Sequence, residues 1–519
     1  MREKIIGAYT LSDPGLVELR HAVSKIPVDK IAGDQVIIEL YQKATLNQPW
    51  VQEMLGAQNE TGAWSDIDYR DKSRSGWAPK LHADRLLYLA TAYSSKGAVS
   101  YQNTAIKKAI INGLHYWFKY DFISPNWWHN DIGVPKTLAP VFLMLQKDLS
   151  ADDMTNAAKI LDRSKIRMTG QNKAWLTTNV LMKAVLLKNE DLAIQARDSL
   201  LTLINTNDVE GIQADFSFHQ HGAQQQFGNY GLAYILTMTT WAKVLNNTNL
   251  QLPDDKKRIL SDLLLKGYSH ITWKGMLDIN AFGRQFFKYA QETKGLAVCF
   301  AMYDMMNINP ANKGLYQAFI NQQLRKDDLP SSLGNTYFYR SDMSVFQAKN
   351  WFVSIKMSST RVIGAEAINN ENKLGYYIAD GATNILRTGT EYNNIFPFWD
   401  WRKIPGVTAY QSAKPLPAMK GGTYKNGNNF TGGINAQNIG IATTIIKRDS
   451  LTAHKAWFFI DNSLVCLGAG ISTDSNDIVG TSINQCYLKG GVLYKGRNPE
   501  AVSQLKARNA SLNAEWIHH

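Results

Sequence analysis

The sequence is poor in cysteine, has no long apolar run and gathers no tract of like charge, and each shortage excludes something. Cys299, Cys466 and Cys486 are the only cysteines in 519 residues. They are far apart and lack metal-ligand spacing, so neither a disulfide framework nor a zinc site is expected. No apolar stretch is long enough to cross a bilayer as a helix, so membrane insertion is not expected. The N-terminus "MREKIIGAYTLSDPG" lacks the apolar core and small-residue cleavage site of a signal peptide. It reads either as a cytoplasmic protein or as a processed chain given a starting Met. Basic residues are scattered, and no helix-turn-helix, zinc-finger or single-strand-binding signature occurs, so nucleic acid is not an expected partner.

What is present points elsewhere. Lys and Arg number 56 against 44 Asp and Glu, a formal charge of +12. Such an excess attracts polyanions over long range, and an acidic polysaccharide fits it better than nucleic acid. With 45% hydrophobic and 19% charged residues the chain is globular, and 519 residues exceed one ordinary core, so two or more domains are predicted.

The two halves differ in period. "DRLLYLATAYSS", "NTAIKKAIINGLHYWFKY", "NVLMKAVLLKNEDLAIQARDSLLTLI" and "YGLAYILTMTTWAKVL" repeat apolar residues at three- and four-residue spacing, which predicts helices. A long succession of helices without strands predicts paired helices stacked into an arc or incomplete α/α toroid, over 1–328. After "LRKDDLPSSLGNTYFYRSD" the runs "NWFVSIKMSS", "KLGYYIAD", "NIGIATTIIKR" and "KAWFFIDNSLVCLGAG" are short, β-branched and aromatic, bounded by turn formers. They predict an antiparallel β-sandwich over 335–519, and hence a multidomain α+β protein. The chain ends on "LNAEWIHH", in the middle of a strand pattern. Either an incomplete sheet domain or tag-derived last residues is expected.

One loop poses a chemical question. "DFSFHQHGAQQQFGNYG", residues 215–231, holds two imidazoles, a run of amides and a phenol among three glycines, more hydrogen-bonding chemistry than a turn needs. His219 and His221 would share a face in an extended segment, as metal ligands could, but no third ligand has suitable spacing. Burial of both histidines against backbone groups is the plainer alternative. Tyr230 follows His221 by nine residues, between Gly228 and Gly231, which would let backbone approach a ligand closely. A His and a Tyr so placed form a candidate acid/base pair.

The loop's "SFHQHGAQQQFGNYG" resembles the catalytic segment of polysaccharide lyase family 8, the group of chondroitin AC, hyaluronate and xanthan lyases. Other stretches agree in order: "NWWHNDIGVP" (126–135), "MTGQNK" (168–173), "INAFGRQFF" (279–287), "EAINNEN" (366–372) and "FWDWRKIPGVT" (398–408). The resemblance runs from about residue 60 onward and is greatest to chondroitin AC lyases. It implies an α/α toroid followed by antiparallel β-sandwich domains, secretion or export to the periplasm, and a monomer. No cofactor is implied for the chemistry; a structural calcium ion is compatible with the sequence but not readable from it.

The implied reaction is β-elimination on a uronic-acid polymer such as chondroitin or hyaluronan. A weakly acidic proton leaves C5, the sugar oxygen leaves C4, and a 4,5-unsaturated uronate remains. The resemblance implies that Asn172 hydrogen-bonds the carboxylate as charge builds there; a helix cap is the plain alternative for this residue. Tyr230 would take the C5 proton and protonate the leaving oxygen if cations such as Arg284 favour its ionised form. His221 would orient and polarise the substrate, or serve as base with Tyr230 as acid. Glu366 would hold His221 or Arg284 in place, with Glu371 a rival and a surface charge the plain reading. Where the family usually shows a second arginine, "GRQFFK" has Lys288; on a helix it would lie one turn beyond Arg284, facing the same cleft. Trp127 and Trp128, as neighbours, cannot both face one core, so at least one is an expected sugar platform. Trp399 and Trp401, with Arg402 beside them, would contact substrate from the sheet domain, core packing being the alternative for each tryptophan.

Three other functions compete. A glycoside hydrolase needs two carboxylates about the scissile bond, and the loop offers Asp215 alone. A xanthan-type lyase shares the chemistry on another glycan. A non-catalytic binding protein would keep the tryptophans and the positive charge without needing Tyr230 and His221.

Overall fold

A computed structural model describes residues 1–11, 13–26, 46–206, 209–325, 334–436, 438–496, 502–505 and 514–519. Helices occupy the first part, to residue 323, and long strands begin at residue 334. The expected domain edge at 328 lies outside the described residues.

The helices come in two rows. Helices α4 (Lys80–Ser94), α6 (Val134–Leu145), α8 (Gly170–Leu186), α10 (Leu232–Leu245) and α12 (Ala290–Ile308) pack successively on one another. Helices α5 (Thr104–Tyr120), α7 (Ala151–Leu161), α9 (Glu190–Leu201), α11 (Asp254–Asp262) and α13 (Lys313–Gln323) back them from the other side. The inner row is buried almost all round, as in α8, where 14 of 17 residues are buried. Outer helices keep one apolar stripe and a wet face, and their starts are set locally. Asn103 and Asn189 accept backbone N–H groups at α5 and α9, and Ser150 with Asp153 forms a capping box at α7. Three short helices, α1 (Arg2–Tyr9), α2 (Val17–Ser24) and α3 (Gln48–Ala57), precede these rows. Pairs of two-residue strands interrupt them: β1 (Gly211–Ile212) with β2 (Phe218–His219), and β3 (Thr272–Trp273) with β4 (Met276–Leu277).

The β domain is built on two antiparallel four-stranded sheets. The first orders β5 (Gly334–Phe338), β6 (Met343–Gln347), β7 (Phe352–Lys356) and β9 (Ala382–Leu386); β8 (Ala365–Glu366) lies outside it, between β7 and β9 in the chain. Every residue of β6 and β7 is buried, because both faces are covered. On β7, Val353 and Ile355 pack on Ala442, Trp457 and Phe459 of the second sheet. Ser354, on the opposite pleat face, accepts from Asn280 Nδ2 of the helical domain at 2.9 Å. Gln347 likewise donates to the carbonyls of Ser269 and His270. The first sheet is thus the layer that mates the domains. The second sheet follows β10 (Thr408–Tyr410) and β11 (Thr423–Tyr424) and orders β12 (Thr431–Ala436), β13 (Ile439–Arg448), β14 (Leu451–Ile460) and β15 (Ser463–Ser472). β13 and β14 alternate buried and open residues, as a half-covered sheet should.

One expected strand is absent. "KLGYYIAD" is a run of turns, because its tyrosines serve a buried cation: Tyr376 and Tyr377 flank Arg448, which is fully buried and paired with Asp380.

Candidate active site

The site is assembled about one carboxylate. Glu366, fully buried at the end of β8, accepts from His221 Nδ1 at 2.9 Å, from Gln226 Nε2 at 2.8 Å and from Arg284 Nη1. Two backbone ties bring the loop to it: Ile363 N donates to Ala223 O at 2.8 Å, and Gln224 bridges to Ile363. Burial alone would raise the Glu366 carboxyl, but the His221 hydrogen bond and the Arg284 charge outweigh it and hold the group below its ordinary 4.5. Arg284 is also claimed by Glu371, through Nε. Burial works against its charge, yet Glu366 and Tyr230 raise its pKa, so it stays a cation. Both carboxylates considered from sequence therefore grip Arg284, and Glu366 alone of the two also holds His221.

Removing one partner of a buried pair costs about 3–5 kcal/mol. Glu366→Gln is expected to lower stability by about that much at neutral pH and to release His221. Because the carboxyl is depressed in the folded state, its contribution is present above pH 4.5 and lost as pH falls through the folded value. The stability gap between wild type and variant should therefore close on acidification. Denaturant melts at pH 7 and pH 3 check it, and an unchanged gap would refute the linkage.

The loop itself is held in an uncommon conformation. His221 has φ +61°, a left-handed region costly for a residue with a Cβ. Next to it, Gly222 N donates to Glu210 Oε1 at 2.9 Å; Glu210 Oε2 also accepts from Gln220 Nε2 and from the Thr169 hydroxyl. Gln220 Oε1 in turn accepts from Gln171 N at 2.9 Å, at the start of α8. His221 Nδ1 is committed to Glu366, and Nε2 has no partner among the described residues. With Nδ1–H donated to the Glu366 carboxylate, the other ring nitrogen, Nε2, is the acceptor in the neutral tautomer.

Tyr230 lies in a five-residue π turn, Phe227–Gly231, that leads into α10. Its ring centre is 4.8 Å from that of His221, and the Arg284 guanidinium carbon is 5.5 Å from it. Burial raises the phenol above its ordinary 10, with Arg284 pulling the other way without prevailing. That direction favours the phenol over the phenolate that a base role for Tyr230 calls for. Gly228 and Gly231 differ from expectation, since the close approaches they permit are to protein. A Cβ on Gly228 would lie 2.8 Å from Ala281 O, and one on Gly231 2.7 Å from the Tyr268 hydroxyl.

Asn172 is the third residue of α8 and is buried, yet its Oδ1 has no partner and its amide bonds no described residue. It caps nothing; the cap position belongs to Thr169, without a side-chain bond. Three residues on, so on the same helix face, Trp175 lies 6.2 Å from the Tyr230 ring and 5.5 Å from Trp128. Trp128 packs inward beside Gly133, whereas Trp127 is 38% exposed. The pair divides as neighbours must.

Four residues expected to contact substrate have surroundings other than those the sequence suggested. Trp399 and Trp401 are core residues, packed edge to face on each other and on Phe396 and Phe286. They close the seam between domains. Arg402 is buried and donates to the carbonyls of Lys414 and Pro415, clamping a loop. Lys288 is not one helical turn beyond Arg284. Residues 285–287 between them are irregular, and α12 starts only at Ala290. The lysine is exposed in a turn, with its ammonium 4.9 Å from the Tyr289 ring centre. Lys288→Arg is accordingly expected to leave the ratio of kcat/KM between sulfated chondroitin and hyaluronan unchanged; a shift of threefold or more would return it to the site. His219 does not join His221, since it is buried with Nε2 3.0 Å from the Ser341 hydroxyl. No group of three His, Cys, Asp or Glu among the described residues converges as a metal site. Sequence reading passed over Gln226, Glu210 and Trp175. The glutamine run was a visible signal, but nothing local to Glu210 or Trp175 marks them.

Residues 31–322 match the model of the polysaccharide lyase family 8 N-terminal α-helical domain, and residues 333–519 that of the family 8 super-sandwich domain. Among relatives, the chain is 28% identical over 481 residues to chondroitinase-AC of Pedobacter heparinus, covering 88% of this chain and 66% of that one. It is 24% identical to hyaluronate lyase of Thermasporomyces composti, covering 89% and 65%. It is also 24% identical to xanthan lyase of a Bacillus species, covering 89% and 55%. The chain thus spans just under two thirds of the first two and just over half of the third. Among solved structures, an oligosaccharide complex of chondroitinase AC lyase superposes with a TM-score of 0.81 at 26% identity, over 95% of this chain and 70% of that one. A Paenibacillus xanthan lyase superposes at 0.79 and 20% identity, over 100% and 52%.

Proposed function

The chain belongs to polysaccharide lyase family 8, and from that premise we propose that it cleaves uronic-acid-containing glycosaminoglycans, chondroitin foremost and hyaluronan next, by β-elimination. The observation that carries the proposal is the convergence of an imidazole, a phenol and a guanidinium about the one buried carboxylate of Glu366, with the uncommitted amide of Asn172 on a helix whose Trp175 touches the same phenol. In this reading Asn172 neutralises the substrate carboxylate, which makes the C5 proton removable. Tyr230, turned to its phenolate by the Arg284 charge as the substrate binds, takes the C5 proton and passes that proton to the leaving C4 oxygen. His221 orients the sugar under the grip of Glu366, and Arg284 stabilises charge near the phenol. Trp127 offers its exposed face to a pyranose ring. One chain holds all these groups, so a monomer suffices. The polymer is too large to cross a membrane unaided, which places the action outside the cytoplasm, secreted or periplasmic.

A second assignment has its own support. The phenol's raised pKa and the open Nε2 of His221 favour His221 as base with Tyr230 as acid. In glucuronate the C5 proton and C4 oxygen share a ring face, so one carrier can serve both. In the C5 epimer they lie on opposite faces and need two groups. Incubation with chondroitin, hyaluronan, xanthan and an iduronate-containing glycan, followed by ultraviolet absorbance of the unsaturated product, tests both points. No absorbance gain with any glycan would defeat the lyase reading. Cleavage of the iduronate polymer at a rate similar to chondroitin would select His221 as base.

A further inference from the structure

Beside Trp127 stands a side chain that the proposed chemistry leaves unused. The Arg167 guanidinium carbon is 5.6 Å from the Trp127 ring centre, and its Nη2 donates to Asp131. The arginine side chain is 48% exposed and the aspartate 25%. Arg167 makes no other hydrogen bond to a described residue, so Nε and Nη1 remain for solvent or ligand. Its support is fixed at both ends. Asp131 belongs to the π turn His129–Gly133 that follows Trp128, and its carbonyl accepts from the Ser164 hydroxyl at 2.6 Å. Five residues beyond Arg167 comes Asn172, after positive φ at Met168 and Gly170 turns the chain into α8. The guanidinium thus stands over the exposed indole, whose neighbour Trp128 lies 5.5 Å from Trp175 on the helix that carries the uncommitted amide.

This arrangement differs from a loose surface cation. Asp131 pins one arm of the planar fork and the indole supports it, so the other donors are held ready for a planar or tetrahedral oxyanion with little ordering left to do. Half-neutralised by Asp131, the arginine gains from an anion that meets its free donors at short range more than from one merely nearby. We propose that Arg167 is a specificity-determining residue that binds an oxyanion, carboxylate or sulfate ester, on the sugar seated at Trp127. The proposal rests on the lyase reading and adds to it the chemistry of the neighbouring subsite.

The test compares wild type, Arg167→Gln and Arg167→Lys in steady-state cleavage of size-matched oligosaccharides of chondroitin sulfate, desulfated chondroitin and hyaluronan. Arg167→Gln is expected to raise KM about tenfold with kcat within twofold of wild type, and Arg167→Lys, which keeps the charge and loses the fork, to fall between. A KM rise confined to the sulfated substrate identifies a sulfate ester; a rise shared by all three identifies the uronate carboxylate. KM within twofold on all three, or a loss confined to kcat, overturns the proposal. Should wild type yield no unsaturated product from any of them, the lyase reading fails by itself. Calorimetric titration with the same oligosaccharides then judges Arg167: a tenfold weaker Kd for Arg167→Gln on one or more of them supports it, and equal Kd on all three overturns it.

Discussion

Tyr230→Phe is expected to lower kcat on chondroitin by a thousandfold or more while leaving KM and the melting temperature near those of wild type. The phenol oxygen is the atom the proposal charges with proton transfer, and positioned general acid–base groups contribute about a hundred- to ten-thousandfold each. A residue that serves first as base and then as acid loses both contributions at once, which places the effect toward the upper end. The packing argument makes the variant clean. Phenylalanine keeps the ring contacts with His221, Trp175 and the Arg284 guanidinium, so the site keeps its shape. Product formation by ultraviolet absorbance and oligosaccharide affinity by calorimetry read the two halves separately. Activity within tenfold of wild type, a loss of about 1.4 kcal/mol in transition-state stabilisation, would remove Tyr230 from the chemistry. Lost affinity with kcat intact would recast it as a binding residue.

The order of domains was legible because the two halves carry different hydrophobic periods. The run at 103–120 becomes helix α5 nearly residue for residue, and "KAWFFIDNSLVCLGAG" becomes the β14–β15 hairpin. Failure came where side chains serve a partner far away. The aromatic run at 373–380 looks like a strand until Arg448, some 70 residues on, is seen to claim its tyrosines. The site divides the same way. The density of polar groups in 215–231 raised the right question from composition alone, but Glu366 lies 145 residues from His221, and only family resemblance linked the two. Adjacency settled the first tryptophan pair, since Trp127 and Trp128 had to part. For Trp399 and Trp401, two apart, period allows one shared face but not which environment it meets, and the seam between domains took both. Lys288 was misplaced because a helix was assumed from Arg284 to Lys288, where residues 285–287 are irregular and α12 starts only at Ala290.

Asn172→Ala is expected to lower kcat about a hundred- to thousandfold, the usual cost of losing one donor aimed at developing charge, and to leave the fold intact or slightly firmer. The second half of that expectation separates a catalytic amide from a structural one. A buried amide that completes a network destabilises the protein when cut away, because its partners are left unpaired. Asn172 has no described partner to strand; its own Oδ1 is the unpaired atom, and a buried polar group without a bond is a standing cost. Alanine removes that cost and fits the first turn of α8 without a polar group to satisfy. Activity and stability should thus move in opposite directions, as they do where a site keeps a poorly satisfied group for its substrate. Thermal melts of the two proteins beside their rates on chondroitin decide it: a variant that loses both stability and activity would make Asn172 a structural residue, and the uronate carboxylate would then need another donor.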